Sequence, residues 1–311
     1  MSNTFLVTGG AGFIGSHIVE ALVERGDRVR VLDNLSTGRL QNLAHVSDQI
    51  EFMEGDLRNE ATVREAVNNV NSIFHLAAMV SVPESMAKPI EAELINALGT
   101  LSLLSIAKQA GVRRLVLSST CAVYGDEPTL PKTESIPIRP QSPYAISKLA
   151  AEHYCRLFND SMGLETVVLR YFNVYGPRQD PSSPYSGVIS IFANKMSQGQ
   201  LPFIYGDGEQ TRDFVFVKDV VRANLLATQI HEAAGQVFNI GTGNPISINT
   251  LFNLVADIFA VDGSPHHHPA RSGDIRYSHA DAGHANHVMG WSAQVGFNEG
   301  LRLLTNSFNH I

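Results

Sequence analysis

Three evenly spaced glycines follow the first apolar segment and constrain the fold more than any other feature. Gly9, Gly12 and Gly15 lie in the run TGGAGFIGSH, which also fits the spacing GxGxxG through Gly10. A strand is predicted before these glycines and a helix after them, over 4–8 and 12–25. Such glycines allow a tight turn and a close approach of the backbone to a pyrophosphate, towards which the helix directs its free N–H groups. The run therefore predicts a dinucleotide-binding turn rather than a turn that only packs helix on strand.

A carboxylate ends the second predicted strand. Asp33 follows the glycines at the spacing, about 20 residues, at which an acid accepts hydrogen bonds from an adenosine ribose and repels a 2′-phosphate. The sequence therefore favours NAD over NADP. Arg39 follows shortly and would suit a 2′-phosphate, so that alternative stays open.

The first half of the chain alternates β-rich and helical segments. Further strands are predicted over 28–33, 50–56, 72–78, 113–119 and 166–172, and helices near 60–69, 89–110 and 144–162. This alternation predicts an α/β fold of the Rossmann type, in which a doubly wound parallel sheet carries helices on both faces.

The second half contains more proline and glycine, with helices predicted at about 218–231 and 247–260. We expect it to form a smaller C-terminal substrate lobe. The predicted NAD-binding domain comprises 1–172, with 214–240 returning to it, and the substrate lobe comprises 173–213 and 241–311.

The composition excludes several classes of protein. The chain has 311 residues, a net charge of −7 and no basic run with interleaved aromatics, so we expect no nucleic-acid partner. Its two cysteines, Cys121 and Cys155, form no disulfide framework and indicate a reducing, cytoplasmic location. The N-terminus lacks the pattern of a signal peptide, and no apolar run approaches the roughly 18 residues that span a membrane.

The run HHH at 266–268 suits a metal by residue type. It lies between prolines in a polar segment, with no carboxylate or cysteine at ligand spacing. We therefore predict a solvated loop and no metal site.

Tyr144 and Lys148 stand four residues apart in SPYAISK and share one face of a predicted helix. We expect the lysine ammonium and the positive nicotinamide ring of NAD⁺ to lower the pKa of the phenol. The phenolate could then take a proton from a substrate hydroxyl as hydride leaves the same carbon. Ser119 and Thr120 lie where ligands bind in such sheets, and their hydroxyls could bond the reacting hydroxyl and the Tyr144 oxygen. Cys121 is interpreted as a small packed residue.

Eight motifs occur in order along nearly the whole chain: TGGAGFIGSH, DNLSTG, GDLR, HLAA, SSTCAVYG, YAISK, YFNVYGPRQ and RDFVFVKDV. They resemble the extended short-chain dehydrogenase/reductase family and, within it, the NAD-dependent nucleotide-sugar epimerases, especially the UDP-sugar 4-epimerases. The resemblance implies that tightly bound NAD oxidises C4 of the sugar to a ketone, which rotates and receives hydride on its other face. It implies that Tyr144 is the base, that Lys148 orients the nicotinamide ribose, and that Thr120 assists at O4.

The resemblance also assigns residues around the cofactor. Asp56 and Leu57 match residues that meet the adenine, and Asn96 lies in the helix that packs behind the active site. The implied cofactor-binding residues are Gly9, Gly12, Phe13, Ile14, Gly15, Asp33, Asn34, Ser36, Gly38, Asp56, Leu57, Ala77, Ala78, Ser118, Tyr144, Lys148 and Tyr171.

The UDP-sugar residues are assigned in the same way. Arg212 and Arg271 would grip the two phosphates, Asp274 would meet the nucleotide ribose, and Phe203 would stack on uracil. The implied substrate-binding residues are Ser119, Thr120, Tyr144, Asn173, Val188, Phe203, Arg212, Arg271, Asp274 and Ser278.

Departures from related enzymes narrow the activity. Cys121 and Ala122 stand where 4,6-dehydratases carry Asp-Glu. Ala122 also stands where uronate decarboxylases carry a glutamate, so neither chemistry is favoured. Ser278 aligns with a residue that gates the sugar pocket, and a small residue there leaves space for a 2-acetamido group. Tyr277 would be the gate if that alignment were shifted by one position.

The predicted function is interconversion of UDP-glucose and UDP-galactose, and of the UDP-N-acetylhexosamines. A UDP-glucuronate 4-epimerase is the alternative within the fold. A non-catalytic NAD(H)-binding regulator is the alternative from another class, although such proteins often lack the tyrosine or the lysine. The apolar faces of the helices at 89–110 and 144–162 match a dimer interface in relatives, so we expect a homodimer.

Overall fold

Seven parallel strands form a central sheet within residues 3–180, 187–270 and 275–306, which are those that the structure, a computed structural model, describes. They are β1 (Thr4–Thr8), β2 (Arg28–Asp33), β3 (Ile50–Glu54), β4 (Ser72–His75), β5 (Arg114–Thr120), β6 (Glu165–Tyr171) and β10 (Val237–Ile240). The order is β10-β6-β5-β4-β1-β2-β3, and each neighbouring pair is parallel. The chain adds strands first on one side of β1 and then on the other, so a crevice opens between β1 and β4 at the carboxyl ends. The predicted Rossmann-type, doubly wound fold is confirmed.

The described residues form the helices α1 (Phe13–Glu24), α2 (Glu60–Val67), α3 (Val82–Ala87), α4 (Pro89–Ala92), α5 (Gly99–Gln109), α6 (Pro143–Met162), α7 (Val188–Met196), α8 (Val217–Gln229), α9 (Ile248–Phe259), α10 (Gly283–Met289) and α11 (Phe297–Asn306). Helices cover both faces of the central sheet, and α7, α9 and α11 pack together in the second half of the chain.

The alternation of side chains along β1 explains the two layers of the core. Phe5 and Val7 point to one face, where they join a cluster that includes Ile18 of α1. Leu6 points to the other face and joins a cluster that includes Leu103 of α5. Successive side chains of a strand point to opposite faces, so one apolar strand supplies both cores.

The predicted helix at 89–110 is less regular than expected. A π-helical segment, Glu93–Leu98, separates α4 from α5. It carries the buried Asn96, whose amide accepts from the N–H of Met79 (2.8 Å) and donates to its carbonyl (3.0 Å). Such insertions occur frequently at functional sites, and apolar periodicity does not reveal them.

The continuous helix over Pro89–Gln109 is long and apolar enough to cross a membrane, contrary to our expectation that no segment would be. Half of the most apolar stretch of this helix is buried inside the protein, where the helix packs against α6. Packing within the protein accounts for the buried half, whereas Ile90, Leu94 and Leu98 stay exposed.

Short strands organise the second half. They are β7 (Asn173–Tyr175), β8 (Phe203–Tyr205), β9 (Thr211–Phe216), β11 (Pro245–Ser247) and β12 (His266–His268). One sheet has the order β11-β9-β7, and β12 pairs with β8. A single strand, β9, crosses the boundary predicted at residue 214, and the division into two domains stays a prediction.

The triple histidine is a strand, so the predicted loop is wrong. Residues 266–268 pair in parallel with β8, and all three side chains are exposed. The ring of His268 meets that of Phe203 edge-on at 4.5 Å between centroids. Pairing with a distant strand overrode the local signal of the flanking prolines. Within the described ranges, no three His, Cys, Asp or Glu side chains are arranged so that they could hold a metal ion together.

Candidate functional site

The glycine turn leaves no room for side chains on its inner side. Gly9 has a φ of +70°, and a Cβ added there would lie 2.7 Å from the amide nitrogen of Ala77. A Cβ at Gly15 would lie 2.1 Å from the carbonyl oxygen of Gly9. Gly12 caps α1 in an extended conformation, and a Cβ there would approach only the Gly9 carbonyl, at 3.1 Å. The cradle in front of Gly12 and the first N–H groups of α1 therefore suit a phosphate.

Asp33 holds this turn to the end of β2. Its buried carboxylate accepts hydrogen bonds from the N–H groups of Ala11 (2.9 Å) and Leu35 (2.8 Å). Burial raises the pKa of the carboxyl, and the two hydrogen bonds oppose that rise. A Cβ at Gly38 would lie 2.7 Å from the carboxylate, so the glycine leaves that side open. Each oxygen keeps acceptor capacity for a ribose hydroxyl.

Arg39 is paired with an acid. Its guanidinium contacts the carboxylate of Asp180. The cation on which an NADP reading depended therefore already has a partner of opposite charge.

The predicted adenine side is held by a polar cluster. Asn34 donates to Asp56 (2.9 Å), and Arg58 pairs with the same carboxylate at 2.7 Å. The Arg58 hydrogen bonds hold the pKa of Asp56 well below its usual range. Ser36 donates its N–H to the Asn34 side chain (3.1 Å), and Leu57 is buried.

A buried histidine supports the end of β4. His75 contacts the hydroxyls of Thr8 (2.7 Å) and Thr100 (2.9 Å), and Thr8 also accepts the N–H of Ala77 (3.3 Å). Burial, with a smaller contribution from the charge of Lys148, lowers the pKa of His75 to about 3. A neutral ring therefore fixes the segment that carries Ala77 and Ala78.

Helix α6 presents the predicted catalytic pair. Ser142 caps the helix by accepting the N–H of Ala145 (3.2 Å), and the N–H of Tyr144 donates to Ser85 (3.1 Å). Tyr144 and Lys148 share one face. The Tyr144 hydroxyl interacts with the side chain of Thr120 at the end of β5. The structure thus brings together the three predicted catalytic residues.

The electrostatics of this pair differ from the sequence expectation. Burial raises the pKa of Tyr144 to about 12, and the interaction with Thr120 opposes the rise. Burial likewise lowers the pKa of Lys148 to about 8, with Glu152 acting in the opposite direction. The low dielectric around the pair disfavours both charged forms. The side chains around Tyr144 therefore do not lower its pKa as expected. The effect of the nicotinamide charge on that pKa stays a prediction.

Ser119 does not share the site with Thr120. Its buried hydroxyl donates to Glu152, which pairs with Arg170 at 2.6 Å. Ser118 and Thr120 project to the opposite face of β5, because side chains alternate along a strand. The predicted contact of Ser119 with substrate is therefore not supported.

Tyr171 lies in the core rather than at the surface of the site. Its hydroxyl donates to Asn224 at 3.0 Å, and its ring is buried in the cluster that covers one face of the sheet. Its predicted contact with the cofactor is not supported by this placement.

The residues assigned to the sugar meet beside β5. The side chain of the buried Ser278 interacts with the thiol of Cys121, whose pKa burial raises to about 11. Tyr277 is 50% exposed. The structure therefore places Ser278, not Tyr277, next to the residue that follows Thr120.

The predicted nucleotide residues are distributed over β7, β8, β9 and α7. Asn173 donates to the carbonyl of Asp213 (3.3 Å), and Arg212 donates to that of Ile275 (2.6 Å). Phe203 is 45% exposed, with the Lys195 ammonium 5.3 Å from its ring centroid. Val188 begins α7. Arg271 and Asp274 lie outside the described residues.

Sequence reasoning missed two supporting residues, Glu152 and Ser147. Glu152 stands four residues after Lys148, so the spacing that revealed the pair also pointed to it. Asn96 donates to Ser147 (3.0 Å), which bonds the carbonyl of Tyr144 (2.9 Å). No local sequence signal predicts that contact.

Comparison with known proteins identifies the family. The model described as "NAD dependent epimerase/dehydratase family" matches residues 5–241. The chain belongs to this family. The UDP-glucose 4-epimerase of Mycolicibacterium smegmatis is 42% identical over 300 residues, which cover 95% of each chain.

Solved structures of this family have the same fold. The UDP-glucose 4-epimerase of Thermotoga maritima, solved with UDP-glucose, gives a TM-score of 0.95 at 41% identity over 99% of both chains. The UDP-N-acetylglucosamine 4-epimerase of Methanobrevibacter ruminantium, solved with UDP-N-acetylmuramic acid, gives 0.95 at 38% identity over 100% and 99%. The family assignment confirms the predicted enzyme class and its cofactor, NAD. The cradle at Gly12 and the carboxylate of Asp33, which keeps acceptor capacity, fit that cofactor.

Proposed function

We propose that the protein is a UDP-sugar 4-epimerase that interconverts UDP-glucose with UDP-galactose, and UDP-N-acetylglucosamine with UDP-N-acetylgalactosamine. The observation that carries the proposal is the interaction between the side chains of Thr120 and Tyr144, at the carboxyl end of β5 and one helical turn from the buried Lys148. Two hydroxyls and an amine at this edge of the sheet can bind and deprotonate an alcohol.

The chemistry follows from these positions. Thr120 would hydrogen-bond the C4 hydroxyl of the sugar, and Tyr144 would remove its proton as C4 becomes a ketone. Lys148 would bind the nicotinamide ribose and, when protonated, stabilise the phenolate. Bound NAD supplies the hydride acceptor and donor. After the keto-sugar has rotated and C4 has received hydride on its other face, Tyr144 would return the proton to O4, so that the opposite epimer forms.

The substrate is proposed from the groups beside this centre. Arg212 and Asn173 would hold the diphosphate, and Phe203 would stack on the uracil. Ser278 is small, so the pocket beside Cys121 would leave space for a 2-acetamido group. The relatives' names support both UDP-glucose and UDP-N-acetylglucosamine.

We also propose a homodimer. Four apolar side chains recur every fourth residue along α3, α4 and the π-helical segment, and all are exposed in the single chain: Met86 (61%), Ile90 (75%), Leu94 (42%) and Leu98 (48%). Ile146 and Leu157 of α6 are exposed as well. An apolar surface of this kind is typical of a protein–protein interface. The two free cysteines support a cytoplasmic location.

The experiment is a substrate panel. Purified protein is incubated separately with UDP-glucose, UDP-N-acetylglucosamine and UDP-glucuronate, with and without added NAD, and the C4 epimers are resolved. We expect turnover of the first two without added NAD. No interconversion of any of them, even with NAD, would refute the proposal, and turnover of the glucuronate alone would establish a uronate 4-epimerase instead.

A further inference from the structure

Asp213 is a fully buried carboxylate that joins three parts of the chain. It lies on β9, directly after Arg212. One oxygen, Oδ1, accepts from the N–H (2.8 Å) and hydroxyl (2.6 Å) of Thr242. The other, Oδ2, accepts from the N–H groups of Gly243 (2.9 Å) and Ala280 (3.0 Å). Both oxygens therefore hold the turn after β10 and the segment before α10.

The segment that Asp213 holds includes or contacts residues that we assign to both ends of the proposed substrate. Ala280 stands two residues after Ser278, which contacts Cys121 beside the catalytic hydroxyls. At the start of this segment, the carbonyl of Ile275 accepts from Arg212 at 2.6 Å. Arg212 thus fixes the start of residues 275–280 through Ile275, and Asp213 fixes the end through Ala280.

A second strand-like contact fixes the same segment from its other side. Lys132 donates its N–H to the carbonyl of His279 (2.9 Å), and its own carbonyl accepts from Asp281 (2.7 Å). The backbone around Ser278 is therefore held on both sides, and Asp213 supplies the side-chain half of that support.

The charge of Asp213 is needed for this arrangement. A carboxylate accepts at both oxygens, whereas an amide of the same shape would direct N–H donors at two of the four groups that now donate to it. Burying a carboxylate is costly unless such hydrogen bonds compensate it. Three backbone N–H groups and one hydroxyl donate to Asp213. The hydrogen bonds that compensate its burial therefore come from the segments that Asp213 positions.

We propose that Asp213 is a positioning residue that sets Arg212 and Ser278 together, and so couples the grip on the diphosphate to the width of the sugar pocket. The inference rests on the proposed function of the site. A ligand that uses both ends of the pocket should be sensitive to Asp213, although the side chain touches neither end of that ligand.

The test compares Asp213→Asn with Asp219→Asn. Asp219 is a matched control, because it is a buried carboxylate that accepts the N–H groups of Gln294 (2.9 Å) and Val295 (3.0 Å) away from the site. The measurements are Tm, NAD content, and kcat and KM for UDP-glucose and UDP-N-acetylglucosamine.

Asp213→Asn should raise KM at least about tenfold, the effect of leaving one buried donor unsatisfied. The increase should be larger for UDP-N-acetylglucosamine, because its acetamido group needs the space beside Ser278. Asp219→Asn should lower Tm but keep KM within about twofold, because it removes structural hydrogen bonds and an ion pair with Arg222 (3.1 Å) away from the site. An Asp213→Asn enzyme that loses Tm but keeps both KM values would overturn the proposal.

Two further measurements keep the outcome decisive. If Asp213→Asn does not fold, Thr242→Val removes one donor to the same carboxylate, and KM should rise about threefold, at the low end for a hydrogen bond. An unchanged KM in that variant would refute the positioning role. If the wild-type protein epimerises neither sugar, the proposed function fails, but calorimetric titration with UDP still tests Arg212. The Kd of UDP should then be higher for Asp213→Asn than for Asp219→Asn, and equal values would overturn the inference.

Discussion

The side chains of Cys121 and Ser278 interact at the carboxyl end of β5. Thr120 precedes Cys121, and its side chain interacts with the hydroxyl of Tyr144. The proposed reaction centre and the proposed gate of the sugar pocket are therefore adjacent. A change of volume at Ser278 should act on the sugar close to the carbon that reacts.

Enlarging Ser278 should narrow the substrate range. In Ser278→Tyr, the added ring would fill the space proposed for the acetamido group, so kcat/KM for UDP-N-acetylglucosamine should fall at least about tenfold relative to UDP-glucose, a typical selectivity for steric exclusion. Tyr277→Ser is the control, because Tyr277 is exposed and its loss should leave the ratio unchanged. An equal fall for both sugars in Ser278→Tyr would exclude Ser278 as the gate.

Removing the hydroxyl of Tyr144 should stop proton transfer without emptying the site. Tyr144→Phe keeps the ring, and we expect kcat to fall at least about a hundredfold, the low end for loss of a general base. NAD content should be unchanged. Tyr154→Phe on the same helix is the matched control and should keep kcat near the wild-type value. A decrease of only a few-fold in Tyr144→Phe would mean that another group is the base.

His75 should make stability depend on pH in the acidic range. Its pKa is about 3 in the folded protein, whereas an unfolded histidine titrates near 6.5, so between these values only the unfolded chain binds the proton. The contribution of neutral His75 is complete above pH about 6.5 and is lost, at about 1.4 kcal/mol per pH unit, as the pH falls towards 3.

Urea unfolding at pH 6, 5 and 4 measures this effect. The free energy of unfolding should fall more steeply for the wild-type protein than for His75→Gln, in which this titration is absent. Parallel pH profiles for the two proteins would contradict the buried, neutral state of His75.

The apolar stripe on α4 and the π-helical segment should hold two copies together. Ile90→Asp places a charge at its most exposed apolar position, and we expect a monomer by light scattering at micromolar concentration, because interface cores are depleted of charge. Leu40→Asp is the control, since Leu40 is exposed elsewhere on the chain and its change should leave the dimer intact. A wild-type monomer, or an unaffected dimer in Ile90→Asp, would show that this stripe is not the interface.

Features encoded by short-range spacing were predicted from the sequence. The glycine turn, the end of β2 at Asp33 and the sharing of a helix face by Tyr144 and Lys148 depend on neighbouring residues, and the structure contains all three. Strand alternation alone could also have shown that the side chains of Ser119 and Thr120 lie on opposite faces of β5, because adjacent residues of a strand face opposite sides.

Features that depend on distant contacts were not predictable in this way. The pairing of residues 266–268 with β8, the amide contacts of Asn96 and the four donors around Asp213 each join segments far apart in sequence. The high pKa of Tyr144 also depends on what buries it, which no local spacing reveals.

The central claim is that C4 is oxidised and reduced within one site. UDP-galactose carrying deuterium at C4 tests it most directly, because hydride taken from C4 and returned to C4 does not exchange with water. In unlabelled water, the UDP-glucose formed should keep the deuterium at C4. Replacement of that deuterium by solvent hydrogen would show that the protein epimerises by deprotonation, and would contradict the account.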